Sequence, residues 1–293
     1  MSQKHGFGTR GARPPRPEGA LPAARKRFGQ HFLKDSRVLD SIVEALGPLE
    51  GRTVVEIGPG RGALTDRLVE RAGRVVAIEL DRDLVQHLRA RYADKPHVEI
   101  VEADVLTVSL PTLAGGPYVL VGNVPYYITT PIIFHALELP RPDVAVYLVQ
   151  KEVAERMAAP PGDKTYGALS VNLQAVVDVA MVRRVPPSAF NPPPTVDSAV
   201  VRVTPRALVS VEPEIEERFR SFVLAAFGLR RKQLIRVVRT VASLDADRAA
   251  AVLQEAALPH EVRPETLTSE DFARLVRVLL RVATPRPELP ASS

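Results

Sequence analysis

Thr53-Val54-Val55-Glu56-Ile57-Gly58-Pro59-Gly60-Arg61-Gly62 sets a β-branched run directly against a glycine-rich turn. The stripe Leu64, Leu68, Val69 and Ala72 follows at helical spacing. Strand, tight turn and helix in that order open a βαβ unit, and glycines at such a turn let backbone approach a ligand closely. The glycines run G-x-G-x-G, with alanine at position 63, so the stretch departs from the dinucleotide fingerprint. Pyrophosphate binding is disfavoured, and a nicotinamide-dependent oxidoreductase with it.

Outward from this turn, β-branched runs at 74–78, 98–101, 118–121 and 144–149 read as further strands. Between them Leu84, Leu88 and Tyr92 share a helical face, and 131–139 suits a helix opening at proline. Strands alternating with helices predict a parallel sheet with crossover helices. Beyond it lie a helix at 152–158, a loop at 160–165 and apolar segments through 171–185. A proline-rich turn around Phe190 follows, then an alternating strand at 196–203 expected to pair antiparallel at one end of the sheet. From Glu212 only helical patterns remain, which predicts a small helical domain. The boundaries that follow are a disordered basic arm at 1–22, a Rossmann-like domain at 23–206, a helical domain at 207–283 and a tail at 284–293.

Composition narrows the function classes. The 293 residues are 45% hydrophobic and 25% charged, ordinary for a globular chain. The apolar runs are far shorter than the roughly 20 residues that span a bilayer. With no cysteine, disulfides, thiolate metal sites and a cysteine nucleophile are excluded, and no metal is expected. The start is rich in Arg and Pro, so a soluble, cytoplasmic monomer is the expectation. Of the 39 basic residues, seven in 1–27 meet one acid, Glu18, a net of +6 where the whole chain carries +5. A second basic stretch, 218–239, contains no acid. Two such patches point to a polyanionic partner.

Candidate site residues sit at successive strand ends. Gly58 and Gly60 form the turn; Glu79, 21 residues past Gly58, can accept bonds from a ribose diol; Asp104 can meet an adenine amino group. Together they fit an adenosine ligand without phosphates. The next strand ends in Gly122-Asn123-Val124-Pro125-Tyr126-Tyr127. An exocyclic adenine amine is a poor nucleophile because its lone pair is delocalised into the ring. The Asn123 side-chain oxygen and the Val124 carbonyl, turned outward by Pro125, can accept its N–H protons, while Tyr126 offers a face for base stacking.

With these blocks the chain resembles the ribosomal RNA small-subunit adenine N6,N6-dimethyltransferases, the family linked with kasugamycin sensitivity. The resemblance covers about 25–280, in eight ordered blocks at 26–33, 56–62, 76–81, 123–126, 150–153, 166–171, 190–202 and 230–232. It implies a class I methyltransferase fold and S-adenosylmethionine as cofactor. His31 and Leu33 would close over the methionine end, Gly58 would line the pocket, Glu79 would hold the ribose and Asp104 the adenine. Asn123 would serve both cofactor and target amine, and Phe190 would be a second aromatic wall for the target base. The implied substrate is a pair of adjacent adenosines in the 3′-terminal hairpin of 16S rRNA within the small (30S) subunit or its precursor, each dimethylated. Arg230, Arg231, Lys232 and Arg236 would contact RNA. Two positions depart from the family pattern, which often has asparagine at position 31 and Leu-Pro-Tyr-Asn at 124–127; His31 can still donate through a ring nitrogen. The alternatives are a 23S rRNA adenine N6-methyltransferase of the antibiotic-resistance type and a non-catalytic RNA-binding assembly factor on the same fold.

Overall fold

A computed structural model describes residues 30–283; the expected arm at 1–22, the basic Lys26-Arg27 and the tail at 284–293 lie outside the described residues. The chain opens with β1 (Phe32–Leu33) and α1 (Ser36–Leu46), then β2 (Thr53–Ile57), α2 (Thr65–Val69), β3 (Arg74–Glu79), α3 (Arg82–Arg91) and β4 (Val98–Glu102). It continues through α4 (Leu110–Ala114), β5 (Tyr118–Asn123), α5 (Thr129–Ala136), β6 (Val144–Gln150), α6 (Lys151–Ala158) and α7 (Ala168–Gln174). Then come β7 (Val177–Val185), β8 (Phe190–Asn191) and β9 (Ser198–Pro205), followed by α8 (Glu216–Gly228), α9 (Leu234–Ala242), α10 (Ala246–Glu255) and α11 (Ser269–Ala283).

Seven strands form one sheet in the order β4-β3-β2-β5-β6-β9-β7. β4 through β6 run parallel, and β9 lies antiparallel to both β6 and β7. From β2 the chain steps outward to β3 and β4, then returns to the other side at β5. The strand order therefore reverses between β2 and β5, where doubly wound sheets open a crevice at their carboxyl ends. Both faces are covered, as parallel strands require. Val55, Leu120 and Tyr147 join one apolar cluster, whereas Val54, Val121 and Val146 join the other with Leu39, Ile42 and Leu46 of α1.

Local chemistry explains most boundaries. Asp35 caps α1 by accepting the Arg37 and Val38 N–H groups at 2.9 and 3.3 Å. α5 begins at Thr129 rather than at the expected residue 131, because Pro131 fits the first turn, where its missing N–H has no intrahelical partner to lose. The strand expected at one end of the sheet is interior: β9 separates β6 from the true edge strand, β7. β7 escaped sequence reading because its middle residues are exposed and its register shifts between Met181 and Arg183, which blurs the alternation. The two-residue pair β1–β8 is too short to carry any periodic signal.

Among the described residues no helix is long and apolar enough to cross a membrane. Helices α8 to α11 share a continuous apolar cluster with one face of the sheet. Tyr166 and Phe227 meet edge to face at 6.1 Å, Phe227 meets Phe272 at 5.9 Å, and the Tyr166 hydroxyl donates to the Leu267 carbonyl at 2.8 Å. Arg141, just before β6, pairs with Glu216 at the start of α8, and both side chains are largely buried. Arg220 of the same helix stands over the Phe134 ring at 5.1 Å.

Removing one partner of a buried ion pair leaves the other charge desolvated and unmatched, at a cost of about 3–5 kcal/mol. Glu216→Ala is therefore expected to lose about 3 kcal/mol of unfolding free energy in urea titrations. The double variant Arg141→Met/Glu216→Leu should recover most of that loss, since it removes both charges of the buried pair and leaves without this partner only Arg220, 3.6 Å from Glu216 and 32% exposed.

Candidate active site

The crevice at the ends of β2 and β5 is a cavity of about 460 Å³, within the size range of small-molecule sites. Its floor is the glycine turn. Gly58 and Gly60 have φ of 67° and 59°, values that favour glycine. A Cβ on Gly60 would come within 2.9 Å of the Phe32 ring, and the Arg61 guanidinium stands 4.3 Å from the centre of that ring. The turn thus carries β1 directly on its backbone.

Glu79, 8% exposed at the end of β3, holds the turn from the other side. Its Oε2 accepts the Gly60 N–H at 3.2 Å, and its Oε1 accepts the Leu80 and Asp81 N–H groups at 2.9 Å each. Three of about four acceptor positions are taken, so a ribose hydroxyl would use the fourth or displace the longer Gly60 bond. Burial raises the Glu79 pKa, and the three N–H groups act against that rise. At the end of β4, Asp104 accepts the Leu106 N–H at 3.0 Å through Oδ1 and caps a short turn.

Asn123 ends β5. Its Nδ2 donates to the His31 carbonyl at 2.9 Å. A carbonyl only accepts, so this contact fixes the amide orientation and leaves Oδ1 as an acceptor. Among the described residues no hydrogen bond reaches the Val124 carbonyl, whereas the Pro125 carbonyl receives Ile128 N–H and the Thr129 hydroxyl. The Tyr126 hydroxyl lies 2.6 Å from Ser198 Oγ, and its ring stacks on His31 with centroids 5.9 Å apart. Burial raises the Tyr126 pKa and the Ser198 contact lowers it, so the phenol stays protonated at neutral pH.

His31, Leu33, Gly58, Gly60, Glu79, Asp104, Asn123, Pro125 and Tyr126 all line this one cavity. Two expectations meet a different geometry. His31 Nδ1 lies 2.9 Å from the Pro192 carbonyl and donates to it, so the ring N–H expected for the cofactor is spent on closing the loop. Phe190 is 2% exposed and packs into the cluster of Leu33, Leu39 and Ala189, beneath the β1–β8 pair. In this conformation its face is covered by core, and its neighbour Asn191 is what reaches the cavity. Arg230, Arg231, Lys232 and Arg236 lie outside the cavity, exposed around the turn between α8 and α9.

Ser198 and Glu56 carry no assigned role in the sequence reading, and Tyr127 enters it only as a departure from the family pattern. Ser198 anchors Tyr126 across the sheet. Tyr127, 61% exposed, stands at the cavity's rim. Glu56 is fully buried; burial pushes its pKa up to about 8, although the Thr65 hydroxyl, donating at 2.7 Å, acts against the rise. The quoted turn contains Glu56, but only the fold shows that its β-strand position faces away from solvent.

Comparison with known proteins agrees with this geometry. The family model of ribosomal RNA adenine dimethylases matches residues 22–279. The ribosomal RNA small subunit methyltransferase A of Xanthomonas campestris pv. campestris (strain B100) is 46% identical over 259 residues, covering 88% of this chain and 97% of that one. Its counterpart from Xanthomonas oryzae pv. oryzae (strain PXO99A) is also 46% identical, covering 87% and 96%. Among solved structures, a dimethyladenosine transferase from Plasmodium falciparum superposes with a TM-score of 0.75 at 27% identity, covering 86% and 98%. The 23S rRNA methyltransferase ErmE does so with 0.67 at 30% identity, covering 85% and 99%.

The buried Glu56 makes stability depend on pH. Its folded pKa, about 8, lies above the ordinary 4.5, so between these values the folded state binds more protons than the unfolded one. Its contribution is full below about 4.5, declines as pH rises and is lost above about 8. Glu56→Gln keeps the shape and removes the titration. The variant should melt close to the parent at pH 4.5 and above it at pH 8.5; parallel melting curves across that range would contradict the burial of a neutral carboxyl.

Proposed function

The chain belongs to the ribosomal RNA adenine dimethylase family, and on that premise we propose that it dimethylates the N6 amines of two adjacent adenosines in the 3′-terminal hairpin loop of 16S rRNA. The methyl donor is S-adenosylmethionine. The partner is the small (30S) subunit or its precursor, met by a monomer. The observation that carries the chemistry is the Asn123 amide, whose nitrogen is occupied by His31 and whose oxygen remains an acceptor in the cavity that Glu79 also lines.

The residues suit an adenosine-bearing cofactor. Gly58 and Gly60 keep the floor free of side chains, Glu79 would take the ribose, Asp104 the adenine amine, and His31 with Leu33 would cover the far end. When bound, S-adenosylmethionine supplies an electrophilic methyl on a sulfonium sulfur. Asn123 Oδ1 and the Val124 carbonyl would accept the two N–H bonds of the target amine, drawing its lone pair out of conjugation. Pro125 fixes the backbone that aims both acceptors, and the Tyr126 ring, held by Ser198, would support the base. Each transfer would form one N–C bond as the methyl's S–C bond breaks with its electron pair left on sulfur, and would release one proton, which water can take. Positioning alone is worth up to about 7–11 kcal/mol, so no strong general base is required.

The sheet with its flanking helices, 23–206, would perform the chemistry, and 207–283 would hold structured RNA through Arg230, Arg231, Lys232 and Arg236. Phosphate contacts of this kind position a substrate without reading its sequence. The large-subunit reading is the weaker one, since the 23S enzyme is 30% identical where the small-subunit enzymes reach 46%.

Incubation with labelled S-adenosylmethionine and small subunits lacking the modification, followed by nuclease mapping and mass spectrometry, tests the whole reading. Dimethyladenosine at both hairpin positions is expected; label confined to large-subunit RNA, or none at all, would overturn it. Asn123→Ala should lower kcat by about 10²–10³-fold, as for loss of one donor or acceptor used in the transition state, while circular dichroism stays unchanged. Glu79→Gln should raise the cofactor Kd about 10- to 100-fold by calorimetry, the range for a charged hydrogen bond.

A further inference from the structure

Resting on that reading, we propose that Lys34, Arg37 and Arg183 form a second RNA-phosphate site at the mouth of the active-site cavity, on the face of the sheet opposite the helical domain. Lys34 and Arg37 lie three residues apart at the start of α1, and Arg183, distant in the chain, is brought to them by contacts to backbone carbonyls. The Lys34 and Asp35 N–H groups donate to the Ala189 carbonyl at 2.9 and 3.3 Å, and Arg183 Nη1 donates to the Arg37 carbonyl at 3.3 Å. All three side chains are exposed, and Lys34 lines the cavity.

Their charges are unspent. Among the described residues none of the three has an acidic partner, whereas the next residue, Arg184, is paired with Asp197. Asp35, the nearest acid in sequence, is turned into the cap of α1. Three uncompensated cations held together repel one another and contribute nothing to folding, and a polyanion relieves that repulsion.

Register places the cluster. Val185 of β7 and Gln150 of β6 both stand opposite Ser198, the residue that holds Tyr126, so the end of β7 carrying Arg183 is at the cavity edge of the sheet. β7 is three strands from β5, roughly 14 Å at the usual strand spacing of about 4.8 Å. That is the scale of a few nucleotides of backbone. α1 packs on one face of the sheet with Leu39 and Ile42, while α8 and α9 pack on the other with Phe219 and Val237. Unpaired cations thus flank the cavity on both sides: Lys34, Arg37 and Arg183 on one, Arg230 to Arg236 on the other. A strand entering the cavity with its adenosine turned inward would be gripped before and after the target base.

The test compares the full chain with Lys34→Gln/Arg37→Gln/Arg183→Gln, using the fluorescein-labelled 3′-terminal hairpin RNA and anisotropy over a series of salt concentrations. Each lost phosphate contact flattens the log–log slope by about 0.7–0.9, so the triple variant should lose about 2 units of slope. Cofactor affinity should hold, and Arg37→Lys/Arg183→Lys should keep the parent slope. Arg156→Gln/Lys164→Gln/Arg263→Gln removes the same charge from exposed positions elsewhere and should change the slope little. An unchanged slope in the first variant, or an equal loss in the second, would overturn the site. So would weakened binding to assembled subunits with free-RNA binding intact, which would make the surface a contact for a ribosomal protein. If the unaltered chain methylates no ribosomal RNA, the functional reading fails on that assay alone, while the salt slopes still report on the phosphate site.

Discussion

A buried carboxylate must find donors, and Glu79 finds all of its donors in backbone. That requirement ties the end of β3 to the turn after β2 and leaves Gly60 no freedom to move. Because Gly60 has no side chain, Phe32 can lie on it, and with Phe32 comes β1. β1 then pairs with β8, which brings Pro192 within reach of His31, and the His31 carbonyl in turn orients Asn123. The acceptor proposed for the target amine is thus set by a chain of contacts that begins at the Glu79 carboxyl. Cofactor pocket and base pocket are one structure, so a change at Glu79 should reach chemistry as well as affinity.

Beneath the same turn lies a carboxyl of opposite character. Glu56 shares the cavity wall with Glu79, yet it receives one hydroxyl rather than three N–H groups, and its burial is complete. Burial therefore dominates and keeps it protonated near neutrality. Two adjacent carboxylates would repel, and protonation of Glu56 removes that repulsion. A neutral Glu56 keeps one charge out of the core beneath the turn.

The parallel half of the sheet was open to sequence reading because β2, β3, β5 and β6 are buried runs rich in β-branched residues closed by glycine, acid or amide side chains. Gly58, Glu79, Asp104 and Asn123 could be placed together for the same reason: each stands at or just past a strand end, and strand ends of a parallel sheet meet along one edge. What escaped was set by contacts rather than by pattern. β7 lies at the sheet edge with an irregular register, so its exposed residues disguise a strand. Phe190 looks like a recognition aromatic on its proline loop, but the antiparallel pairing of β8 with β1 turns it into the core. His31 was expected to donate to a ligand, and its Nδ1–H donates instead to a carbonyl 161 residues away.

The helical region depends on the catalytic one in a way that composition did not reveal. A basic helix pair on a free hinge could bind RNA, but it could not deliver one base to one amide oxygen, since about 1 Å of misplacement can cost 10²-fold in rate. Here Tyr166 on the loop before α7 reaches Leu267, and Arg141 beside β6 is paired with Glu216. Both contacts cross between the sheet and the last four helices, and both are largely shielded from water. They hold the turn bearing Arg230, Arg231 and Lys232 at a set distance from Asn123. Under the proposed function, an RNA loop held by that turn on one face and by the unpaired cations of α1 and β7 on the other would have few ways to enter the cavity. On that reading, selection of the target base would rest on geometry rather than on side chains that read the neighbouring bases.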